Sequence, residues 1–122
     1  GFVKKFPMAH GLAFVDGEPL RVPMAVSDAG VVTAWGDTTV DLLRLILNNA
    51  PFQTRQDSRE GELLWQALKD AEGKDVLVLE ESTHDWLKRI ADGLCPKLYR
   101  ISGERVYTFI AEGFEKPHEP RE

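Results

Sequence analysis

The spacing of apolar residues changes character twice along the chain. Leu12–Val15 and Glu18–Val22 flank Asp16-Gly17, a pair that suits the positive φ angles of a tight hairpin turn. Leu20, Val22, Met24 and Val26 then alternate with Arg21, Pro23 and Ala25, which predicts a strand with one buried and one solvent face. Pro23 cannot donate to a ladder and points to an edge position. Ser27–Gly30 reads as a second turn and Val31–Trp35 as a third strand, together an antiparallel meander.

After Gly36 the period becomes helical. Asp37, Thr38 and Thr39 offer cap oxygens before Val40, Leu43, Ile46 and Leu47, with Leu42 and Leu45 widening the apolar face. Asp57 and Glu60 have the spacing of a capping box for a second helix, whose stripe is Leu64, Ala67, Leu68 and Ala71 and whose stop is Gly73. Val76–Leu79 is a short apolar run suited to a strand that rejoins the meander. Ser82 and Asp85 repeat the cap spacing before Trp86, Leu87, Ile90, Ala91 and Leu94, and Cys95-Pro96 is expected to break that helix. A fourth helix opens at Ser102-Gly103, carries Val106, Phe109 and Ile110, and closes at Gly113. Strands segregated from helices predict an α+β fold, a small antiparallel β meander with about four helices packed on it. The expected organisation is an N-terminal extension over residues 1–11, with Met8 a candidate natural start, a single domain over 12–113, and a disordered tail over 114–122.

Composition narrows the classes of function. With 43% hydrophobic and 29% charged residues in 122, the chain has the balance of a folded domain able to bury a core without disulfides or metal. No apolar run approaches the length of a membrane span, and the N-terminal stretch lacks the apolar centre of a signal peptide. The single cysteine cannot form an internal disulfide, so a cytoplasmic setting, bacterial or host-cell, is expected.

Candidate chemistry is sparse. His84 and Asp85 are adjacent, but neighbours on a helix diverge by about 100°, so the pair reads as a solvated helix start and not as a proton relay. Cys95 has no recognisable histidine partner and reads as a small core residue. The three histidines and the cysteine are too scattered for zinc, and no phosphate-cradling glycine motif is present; no cofactor is expected. A net charge of −5 argues against nucleic-acid binding, although Lys88, Arg89, Lys97, Arg100 and Arg105 form a basic stretch on the third and fourth helices. Trp65 and Trp86 flank their apolar stripes, an edge position that reads first as core boundary and otherwise as an exposed anchor; for a protein partner the candidate anchors are Trp65, Trp86, Phe52 and Tyr107.

Asp16-Gly-Glu-Pro-Leu20, the helix start Gly36-Asp-Thr-Thr-Val-Asp-Leu-Leu43, the segment Val78–Lys88 and the helix after Ser102-Gly103 resemble small accessory proteins of tailed bacteriophages and prophages over residues 12–112. The resemblance departs in the Arg21–Val32 hairpin and around Phe52. It implies a non-enzymatic accessory protein that binds a host or phage protein, in assembly or regulation, with self-association as a further mode and no catalytic residue to carry over. A nucleic-acid-associated regulator using Lys88–Arg105 is the alternative. A small enzyme built on His84 or Cys95 is the third reading.

Overall fold

A computed structural model of the chain describes residues 2–113. The elements run β1 (Val3–Pro7), β2 (Val22–Val26), β3 (Val32–Gly36), α1 (Thr39–Asn49), α2 (Arg55–Ala71), β4 (Val76–Glu80), α3 (Glu81–Tyr99), a 3-10 turn (Arg100–Ser102) and α4 (Gly103–Glu112). The class is α+β, with the strands in two separate antiparallel pairs, β1 with β4 and β2 with β3.

Among the described residues no three-stranded meander forms. A hairpin turn forms at Asp16-Gly17 but not with two positive φ angles: Val15-Asp16 are its central residues, Gly17 (φ 93°) donates to Phe14 O at 2.9 Å, the Phe14 amide donates to Glu18 O at 2.8 Å, and the flanking chain keeps only the single bridge Ala13–Pro19 among the described residues. Val76–Glu80 does not rejoin β2 and β3. It pairs with β1 in the register Phe6–Leu77, Lys4–Leu79. The stretch expected as an extension therefore supplies a strand, and Phe6 is wholly buried in the core with Leu77 and Leu79. A single apolar residue, Phe6, points inward from β1, too little to stand out as a pattern in the sequence. The expected tail, 114–122, lies outside the described residues.

Two helix starts follow from capping chemistry and a third does not. Thr38 and Asp41 form a reciprocal box at α1, as its cap oxygens led one to expect. At α2 the box is Thr54 with Asp57, one turn earlier than Asp57 with Glu60, which frees Glu60 to turn inward and accept from Thr83 Oγ1 at 2.9 Å. Helix α3 starts directly from β4 with no side-chain cap, so Ser82 and Asp85 do not form the expected box.

The break expected at Cys95-Pro96 does not occur. Helix α3 continues to Tyr99 with Pro96 inside its last turn, and the chain reverses at Arg100, whose φ of 56° is unusual for a residue with a side chain. There α4 folds back so closely that a Cβ on Gly103 would lie 2.6 Å from the Cys95 carbonyl oxygen, which only glycine avoids. Helix α3 lies at the centre of the body, packed on α1, α2, α4 and both strands of the β1–β4 sheet.

Candidate functional site

Helix α2 presents two flanks to solvent, and they differ in kind. At about 100° per residue, Leu63, Gln66, Ala67 and Asp70 fall on one side of its buried stripe, and Trp65 stands about 200° from Leu63 on the other. The Leu63 flank faces β4 across an open groove of about 350 Å³. Leu63, Ala67, Val76 and Val78 supply its apolar lining, while Gln66, Asp70, Lys74 and Glu80 supply polar and charged groups. Val78, Leu79 and Glu80 all reach it. Successive strand side chains point to opposite faces, so a groove touching three in a row runs along the edge of the strand. Among the described residues β4 has β1 as its only partner strand, which leaves that edge without a ladder.

The other flank of α2 is aromatic. Trp65 is 49% exposed, with the Lys69 ammonium 5.2 Å from its ring centroid. One turn earlier, Gly61 makes room for Phe52, whose ring would lie 2.5 Å from an added Cβ. This gives Gly61 a packing role beyond its cost to helix propensity. The Phe52 ring stacks on Trp86 at 6.0 Å between centroids and leaves about half its surface in solvent.

Trp86 itself is 1% exposed and therefore cannot be a surface anchor. Its indole donates to Asp57 Oδ1 at 3.0 Å. Asp57 also accepts from the Gln53 and Thr54 amides. The Gln53 amide, then the indole and the Thr54 groups, hold the Asp57 carboxyl below its ordinary pKa. Tyr107 is half-buried against the core. Of the four expected anchors, Phe52 and Trp65 share one flank of α2, Trp86 backs Phe52 from inside, and Tyr107 sits on α4.

The groove residues were not expected from the sequence. Leu63 is hidden by the adjacent Leu64, and Val76 and Val78 pass for core in a run of four apolar residues. The available signal was period two: Leu77 and Leu79 point inward, so Val76 and Val78 must point outward.

The basic stretch is divided. Nine residues separate Lys88 from Lys97, which places them on opposite sides of α3. Lys88 Nζ lies 3.6 Å from Asp85 Oδ1. Arg105 donates to the carbonyls of Ala13 and Phe14, both at 3.2 Å, pinning the first turn to α4. Arg89, Lys97 and Arg100 have no such tie among the described residues, and Arg100 stands at the strained reversal after α3.

His84 is not at a solvated helix start. It is buried, its ring meets Phe6 edge-on at 5.7 Å, and Nε2 donates to the Ile110 carbonyl at 2.7 Å, which fixes the tautomer because a carbonyl can only accept. Desolvation lowers its pKa, Lys88 and Lys4 act in the same sense, and the Ile110 carbonyl and Asp85 oppose them. The imidazole borders a cleft of about 430 Å³ whose lining includes Lys4, Glu81, Asp85 and Lys88 but no serine, threonine or cysteine nucleophile. Cys95 is fully buried, and desolvation followed by Asp92 pushes its thiol up to about 12, a core residue as expected. Among the described residues no group of three His, Cys, Asp or Glu is placed to hold a metal ion, and no helix is long and apolar enough to cross a membrane.

Comparison with protein-family models, with curated proteins and with solved structures finds no match to this chain.

Proposed function

We propose that this chain is a non-enzymatic protein-binding module that accepts an extended segment of its partner in the groove between α2 and β4. The observation that carries this reading is the coincidence of an unladdered strand edge with outward-facing apolar side chains, Leu63, Val76 and Val78. Backbone groups on a free edge give affinity to any extended peptide, and pockets for alternate side chains give selectivity. The favoured segment is a strand with apolar residues at every second position. A basic residue near one end suits Asp70 and Glu80, which outnumber Lys74 among the charged groups of the groove. The resemblance to phage accessory proteins fits such a role, in assembly or in control of a host or viral protein.

The test is selection from a random-peptide library followed by amide-shift mapping on the labelled protein. Enriched peptides should show period-two apolar patterning, bind in the micromolar range, and shift amides at 63–70 and 76–80. Val78→Lys should weaken them at least tenfold while the melting temperature stays within a few degrees. Peptides that map elsewhere, or that bind the Val78→Lys protein equally well, would refute the groove as the docking site.

A further inference from the structure

The ladder between β1 and β4 fixes which backbone groups of β4 stay available, and with them the chemistry of a segment seated in the groove. The Met8 amide donates to the Asp75 carbonyl at 2.8 Å, so Met8 and Asp75, next in register after Pro7 and Val76, are a hydrogen-bonded pair. Such pairs alternate along an antiparallel ladder. Phe6–Leu77 and Lys4–Leu79 are therefore hydrogen-bonded, while Pro7–Val76, Lys5–Val78 and Val3–Glu80 are not, a phase that keeps Pro7, with no amide proton, off the ladder. The N–H and C=O of Val76 and Val78, and the N–H of Glu80, consequently point away from β1. The Glu80 carbonyl is committed as the first acceptor of α3. Among the described residues no turn, cap or side-chain hydrogen bond ends on the backbone of Val76 or Val78.

The two outer edges of this sheet are unlike. β1 carries Lys4, Lys5 and Pro7, residues of the kind that guard an edge against further pairing, whereas Val76–Leu79 carries neither charge nor proline. Residues directly opposite each other on antiparallel strands put their side chains on the same face. A strand added to β4 would thus set the residues opposite Leu77 and Leu79 on the inner face of the sheet. Helix α2 packs on that face: Leu64 and Leu68 share the core with Leu77 and Leu79, and Leu63 and Ala67 reach the groove beside them. Residues opposite Val76, Val78 and Glu80 would fall on the outer face, where Val78 is exposed.

We infer that the groove takes an antiparallel partner strand in one phase only, with a basic residue opposite Glu80, apolar residues opposite Leu79 and Leu77, and a β-branched polar residue between them opposite Val78. This rests on the groove reading and adds to it the direction and pattern of the partner: basic, apolar, polar, apolar, read from its N-terminus. Val78 exchanges two backbone bonds with the central residue, and Val76 two with the residue after the second apolar position. The two apolar side chains reach Leu63 and Ala67 on α2. The basic one meets the Glu80 carboxylate, which is exposed and makes no ion pair among the described residues. Antiparallel pairing is the stronger per residue, and in a parallel partner the basic residue would come last.

Amide-shift titration of the labelled protein with the synthetic peptide acetyl-Lys-Val-Thr-Ile-Thr-amide, and with forms N-methylated at one residue each, tests this. Methylating either threonine removes an N–H aimed at the Val78 or Val76 carbonyl and should weaken binding at least tenfold. Methylating the valine or the isoleucine, whose N–H points away from β4, should change it less than threefold. Glu80→Lys should weaken the parent peptide at least threefold and prefer the peptide in which glutamate replaces lysine. Shifts at 63–70 and 76–80 with a flat or reversed methylation pattern, or with indifference to Glu80→Lys, would overturn the pairing and leave the groove reading intact. So would a parent peptide that fails to bind at millimolar concentration while library peptides still map to the groove. If neither the parent nor any library peptide shifts those residues, the groove and the pairing fall together.

Discussion

The two strand pairs are alike in size and orientation, each two antiparallel strands of five residues, yet they occupy opposite environments. In the β1–β4 pair one face is sealed. Phe6, Leu77 and Leu79 enter the core, His84 packs on the Phe6 ring, and the Met8 amide donates to Asp75 O at 2.8 Å at the end of the ladder. In the β2–β3 pair neither face is covered beyond Val22, and the register slips past Met24 on one strand and Thr33 on the other. Burial specifies register because a one-residue shift would turn the apolar side chains to water. Where nothing is buried that penalty vanishes, and irregularity follows. Strand propensity alone does not distinguish the two: the exposed pair contains the better strand formers, Val31, Val32, Thr33 and Trp35.

The sharpest way to break this contrast is truncation on the two sheets. Phe6→Ala should cost about 3–5 kcal/mol, as for other buried aromatics. Val26→Ala on the hairpin should fall within about 0.5 kcal/mol of wild type, as surface changes do. Urea titration of both variants measures the difference; equal losses would mean the hairpin is packed after all.

A smaller effect is expected where the β1–β4 sheet passes into α3. Thr83, three residues after β4, donates to the buried Glu60 carboxylate. Thr83→Val preserves shape and removes the donor, and should cost about 1–3 kcal/mol, with Thr83→Ser recovering most of it.

Acid should loosen the same region. His84 has a folded pKa below its ordinary 6.5, and burial also lowers that of His10, against the opposing charges of Asp37 and Asp41. The unfolded chain therefore binds more protons below about pH 6.5. Stability is complete above that value and declines as the pH falls through it, at no more than about 1.4 kcal/mol per pH unit for each proton. His84→Gln keeps a donor for the Ile110 carbonyl and removes one titration. Melting temperatures measured between pH 7.5 and 5 should fall less steeply in the variant than in wild type.

The least perturbing measurement is amide exchange under native conditions. Protection should be high at Leu77 and Leu79 and low along residues 24–34, since openings of a poorly buried element cost little. Uniform protection across both sheets at micromolar concentration would contradict the contrast.

Much of the helical part was legible. The α1 cap, the stripe of Leu64, Leu68 and Ala71, and the buried set Val106, Phe109 and Ile110 follow from spacing, because a helix closes its own hydrogen bonds and needs only one apolar face to dock. The Leu20, Val22, Met24, Val26 alternation was legible only in half: the first two residues are buried and the last two are not. The pattern is the same along its length, but the hairpin leaves the body after Val22. Of the candidate anchors, Trp65 is half exposed at the edge of its stripe, whereas Trp86 is covered by a Phe52 ring that reaches it only because Gly61 lacks a side chain.

The chain by itself determined what local chemistry can determine: the start of α1 at its cap hydroxyl Thr38, the stops of α2 and α4 at Gly73 and Gly113 with positive φ, and the core placement of Cys95. Tertiary structure decided which strand pairs with which, that Phe6 lies in the core, and that Leu63 and Val78 share a groove. The β1–β4 pairing joins residues as far apart as Phe6 and Leu77. Its energy depends on which faces end up covered, and no window of neighbouring residues contains that information.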